Sequence, residues 1–181
     1  AWVTLAPGAS YTLTSAVQMK SGMRLDIPGG TVINVAGINA FTDANTAVSD
    51  VVVRGGGTIV DSAVSTGASN GFLFDADTGS QASDVLIEDI RFVGGWRGVC
   101  AHRAANFRVV GARGKNLLSS LVYVGQSPAQ GRSTDIVVKD IRASGCGTYA
   151  TSAESGVVIA YADRVRLSAN RFYDCGLDAH T

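Results

Sequence analysis

The sequence predicts an all-β protein, a right-handed parallel β-helix of about six coils. Three observations predict it. Gly is abundant, 22 of 181 residues, while Pro is scarce at 3, and runs rich in Val, Ile and Thr separate the glycines. That composition suits short strands joined by tight corners. The acidic residues are 13 Asp against 2 Glu; Asp favours turns and Glu favours helices, and no amphipathic helix is visible. Finally, a corner followed by alternating β-branched residues recurs at intervals of 22 to 34 residues, a spacing typical of solenoids.

The repeats justify the elements in order. A weak first copy reads SGMRLDIPGGTVI from Ser21. It is followed by SDVVVRGGGTIV from Ser49, SDVLIEDIRFVGG from Ser83 and ANFRVVGARG from Ala105. The last copies are TDIVVKDIRASGCG from Thr134 and ADRVRLSANRFYDCG from Ala162. The corner positions are Gly22, Asp50, Asp84, Asn106, Asp135 and Asp163. Asp and Asn bond their own backbone at corners and tolerate left-handed dihedrals. A second strand family precedes the corners: GFLFDAD from Gly71, GVCAHRA from Gly98, SLVYVGQ from Ser120, GVVIAYA from Gly156 and GLDAHT from Gly176. Strands that stack coil on coil must run parallel, and parallel crossovers are right-handed.

Length and charge bound the function. A chain of 181 residues fits a single domain, 1–181. Fifteen basic residues balance fifteen acidic ones, which argues against a nucleic-acid partner. No apolar run reaches the length of a membrane span. Cys100, Cys146 and Cys175 are odd in number and are expected to be reduced core thiols.

Alternation assigns faces to the second strand family. The inward set is Phe72, Phe74, Val99, Ala101, Leu121, Tyr123, Val157, Ile159, Leu177 and Ala179. One outward column is then Leu73, Cys100, Val122, Val158 and Asp178; the next is Asp75, His102, Val124, Ala160 and His180. The apolar middle of that face, Val122, Val124, Val158 and Ala160, reads as a packing surface, for a homotrimer or for a covering loop such as 126–132. Asp75 beside His102, with Asp77 and Arg103 close by, is a candidate base with its orienting carboxylate. Asp75 and Asp77 are also a candidate Ca²⁺ pair, since that cation prefers oxygen ligands. Trp96, Tyr161 and Arg103 are candidates for substrate contact.

These repeats resemble the pectate-lyase-like right-handed β-helices. GGGTIVDS, Gly55 to Ser62, looks like the GxGxIDG corner of polygalacturonases, departing at Val60 and Ser62. WVTLAPGASYTLTSAV resembles the early strand of phage tailspikes and alginate epimerases. GLDAHT is similar to the GFDPH motif of mannuronan C5-epimerases, which implies catalytic roles for Asp178 and His180; Cys175 stands where that family has Tyr. Only Gly176 to Asp178 echo the polygalacturonase NTDGxD segment. Those relatives carry an N-terminal helical cap that is not seen before Trp2, so the chain is expected to belong to a longer β-helix or to be capped by a partner. The resemblance implies an extracellular or virion-surface module that binds and cleaves an acidic polysaccharide as a hydrolase or lyase. The alternatives are a uronate C5-epimerase or lyase using Asp178 and His180, and a non-catalytic adhesive segment.

Overall fold

The computed structural model describes residues 2–63, 69–75, 81–125, 131–148 and 156–175. Among them are twenty strands and no helix. Two parallel sheets hold seven strands and the third holds six. Successive strands in each sheet lie three apart in the chain, so the chain winds through all three sheets six times and begins a seventh turn. This is the parallel β-helix expected from the repeats. The opening segment, expected to be an early strand, forms the first coil through Val3–Thr4, Ser10–Thr12 and Val17–Gln18. No helix among the described residues is long and apolar enough to cross a membrane.

The corners explain the winding. Gly22, Asp50, Asp84, Asn106, Asp135 and Arg164 all have positive φ, between 48° and 78°, and the strand registers stack them in one column. Five of the six corners are those expected. The sixth is Arg164, not Asp163, because Asp163 pairs with Thr134 one place earlier. Arg164 accepts the left-handed conformation and clamps Asp135, its Nε and Nη2 donating at 2.6 and 2.7 Å. That clamp holds Asp135 below the ordinary carboxylate range. Asp163 is held low in the same way by Arg132, which donates to both of its oxygens.

The core fills the triangular interior. Phe41 stacks on Phe72 with centroids 4.8 Å apart, and Phe92 meets Phe72 edge-on at 6.0 Å. Phe74 and Phe107 form another edge contact at 5.2 Å. Gly71 and Gly98 leave room for the Phe92 ring, which a Cβ at Gly71 would approach to 2.3 Å. Cys100 and Cys146 are buried as expected, while Cys175 is half-buried. Burial, reinforced by nearby Cys175, pushes the Cys146 thiol up to about 12.

One expected register is corrected. Val99 pairs with both Phe72 and Val122, and Val122 with Val157. The inward rows are therefore Phe72–Val99–Val122–Val157 and Phe74–Ala101–Val124–Ile159. Val122 and Val124 are fully buried, and Tyr123 faces outward beside Cys100. Leu121, not Ser120, occupies the place of Gly98, which shifts the alternation of SLVYVGQ by one residue. Leu121 is itself buried, its side chain lying 2.7 Å from where a Gly98 Cβ would sit. A one-residue slip exchanges the faces, so Val122 and Val124 leave the expected outward apolar stripe, while Val158 stays outward beside Tyr123.

Candidate functional site

The site lies where the third sheet ends. The strands Asn70–Phe74 and Arg97–Ala101 pair in parallel. The His102 N–H donates to the Phe74 carbonyl at 2.9 Å, so the ladder continues past both strand ends. That continuation sets Asp75 and His102 side by side, as the sequence suggested. The His102 Nδ1 meets the Asp75 carboxylate; the side chains are 13% and 36% exposed. A carboxylate on Nδ1 favours the tautomer protonated there and leaves Nε2 as the basic nitrogen.

Two residues not foreseen support Asp75 from the preceding coil. With its amide nitrogen turned toward Asp75, Asn45 donates to the Asp75 carbonyl at 2.9 Å and to Oδ2 at 3.3 Å. Asp43 is fully buried beneath the loop. Its Oδ1 accepts the backbone N–H groups of Asn45 at 3.2 Å and Asp75 at 3.0 Å. Burial raises its pKa, and the Asp75 charge adds to the rise against those hydrogen bonds. Its Oδ2 is buried without a hydrogen-bond partner. Ala44 and Asn45 both have positive φ, 50° and 61°, and form this tight corner. Phe41 pairs with Phe72 and Thr42 with Leu73, so Asp43 falls at the inward place that Phe74 holds on the next coil. The two-residue strand before it, Phe41–Thr42, is too short to show alternation.

The neighbouring outward column is Leu73, Cys100, Tyr123 and Val158. Over it lies Arg97, whose guanidinium stacks on Tyr123 at 3.8 Å and stands 5.7 Å from the Trp96 ring. Arg97 also donates to Ser119 Oγ at 3.1 Å and to Cys100 Sγ at 3.6 Å. Arg97 and Tyr123 were both missed. The slipped register turned Tyr123 inward, and Arg97 sits ahead of the alternating stretch.

The other sequence candidates are dispersed. Arg103 follows His102 in the chain, but its guanidinium lies against Gly131 on the next coil, 3.2 Å from a Cβ built there. Trp96 is only 8% exposed and packs with Arg97. Tyr161 is exposed on the sixth coil, with φ of 49°. Asp77, Asp178 and His180 lie outside the described residues. Among the described residues no group of three or more His, Cys, Asp or Glu could hold a metal ion. Comparison of the chain with family models, with curated proteins and with solved structures gave no match.

Proposed function

We propose that this β-helix acts on an acidic polysaccharide by removing a proton, with His102 as the base and Asp75 as the residue that orients it. The Asp75–His102 pair carries this reading, since it supplies an imidazole whose Nδ1 is held by a carboxylate and whose Nε2 is left to take a proton. A glycosidase needs two carboxylates facing the bond. Asp43, the carboxyl bonded to the Asp75 backbone, is buried and cannot serve as the second. A uronate carries an acidic proton on the carbon beside its carboxylate. His102 Nε2 takes that proton, the electron pair forms a double bond, and the glycosidic oxygen leaves with a proton from the imidazolium or from water. Such a lyase acts outside the cell or on a virion, where these glycans are found.

The test is incubation with uronate polysaccharides, following the ultraviolet absorbance of the unsaturated product and the new reducing ends together. The expected result is a rise in both, abolished by His102→Gln and reduced by Asp75→Asn. Reducing ends without absorbance, or an active His102→Gln variant, refutes the reading.

A further inference from the structure

The second sheet carries a feature that the repeats conceal. Its registers pair Thr58 with Arg91, Arg91 with Arg113, Arg113 with Arg142 and Arg142 with Arg171. Four arginines thus stand directly above one another on consecutive coils, and all four are exposed. Adjacent strands lie about 4.8 Å apart, so the row is about 14 Å long. Lys115, two residues beyond Arg113 on the same strand, adds an exposed fifth cation.

Like charges directly opposite on neighbouring strands are destabilising. Three arginines elsewhere are paired with carboxylates: Arg24 with Asp50, Arg132 with Asp163 and Arg164 with Asp135. Among the described residues, no ion pair or hydrogen bond engages the guanidinium groups of Arg91, Arg113, Arg142 or Arg171. The two nearby carboxylates are directed elsewhere. Asp89 leans over Gly111, its Oδ1 2.0 Å from where a Cβ would be, and Asp140 meets Lys139 at 3.4 Å. Shallow depressions flank the row. One is lined by Gly55, Gly56, Asp89, Arg91, Gly111 and Arg113, and a second by Asp140, Arg142, Ala169, Asn170 and Arg171.

We propose that this arginine ladder is a binding stripe for a linear acidic polysaccharide lying along the solenoid axis, separate from Asp75 and His102 on another sheet. Guanidinium groups grip carboxylates bidentately, and a row of them matches a polymer with an anion on each sugar. The carboxylates and bare glycine corners beside the row favour a ligand that also donates hydroxyl hydrogen bonds. A nucleic-acid backbone offers few such donors, and the chain as a whole has no net charge. The inference does not depend on the chemistry assigned to His102.

The test measures binding of the whole chain to polygalacturonate, with neutral dextran and single-stranded poly-dT as comparisons, at rising NaCl. Ladder variants are made both in the wild-type chain and with His102→Gln, so that loss of cleavage and loss of binding are read separately. Polygalacturonate is expected to bind best, and less tightly as salt rises. Arg113→Ala with Arg142→Ala should weaken it about tenfold and flatten the salt dependence. Lysine at both positions should recover part of the affinity. Arg108→Ala, on the first sheet, should change it less than about twofold, within the small effect of an uninvolved surface charge. Circular dichroism checks that the double variant stays folded. No binding to polygalacturonate at low salt, unchanged affinity in the double variant, or tighter binding of poly-dT overturns the proposal.

Discussion

The register of SLVYVGQ decides what faces the candidate site, and stability can test it. Val122 and Val124 are each fully buried, while Tyr123 points outward under Arg97. Val→Ala deletes two methyl groups. At about 0.8 kcal/mol per buried carbon, the transfer loss is about 1.6 kcal/mol. A residual cavity of roughly 40 Å³ at about 24 cal/mol per Å³ adds about 1 kcal/mol. Each of Val122→Ala and Val124→Ala should therefore cost about 2.5 kcal/mol. Tyr123→Phe, which removes only an outward hydroxyl, should cost less than about 0.5 kcal/mol. The assay is urea unfolding followed by far-ultraviolet circular dichroism, compared at equal slope. With the opposite face inward, both valines would stand on the surface and their truncation would be nearly silent. Losses below about 0.5 kcal/mol for both valines would refute the register and the face built on it.

Other predictions concern the same coils. Native Asp43 holds its proton more tightly than the unfolded chain does, because burial raises its pKa. Its contribution is full below the ordinary Asp value of about 3.9 and is lost as pH rises through the native value. The stability of Asp43→Asn minus that of wild type should therefore climb with pH across that window, by up to about 1.4 kcal/mol per pH unit; a flat or falling difference in urea titrations refutes it. Gly125, with φ of 87°, continues the column after His102, and a Cβ there would lie 1.9 Å from the Ala160 carbonyl oxygen. Gly125→Ala should cost more than about 3 kcal/mol, seen as a large drop in urea midpoint. Ala169 is left-handed, with φ of 56°, in the column of Gly55, Asp89, Gly111 and Asp140. Relief of strain of about 1–2 kcal/mol, less about 0.4–1 for the looser unfolded chain, should make Ala169→Gly stabilising by roughly 0.5–1 kcal/mol; a lowered midpoint contradicts that.

The sequence by itself determined the winding. Corner residues that tolerate positive φ and β-branched runs between them are local signals, so five corners, the parallel stacking and the Asp75–His102 pair were all legible. Tertiary structure decided whatever depended on alignment between coils of unequal length. It put Val122 rather than Tyr123 in the core, Arg164 rather than Asp163 at the last corner, and Asp43 beneath Asp75. It also drew arginines that look scattered in the chain, Arg91, Arg113, Arg142 and Arg171, into one column. The physical reason is that side chains alternate with a period of two. A single inserted residue in a corner exchanges the faces of the strand that follows, and only packing against the adjacent coil fixes which face turns inward.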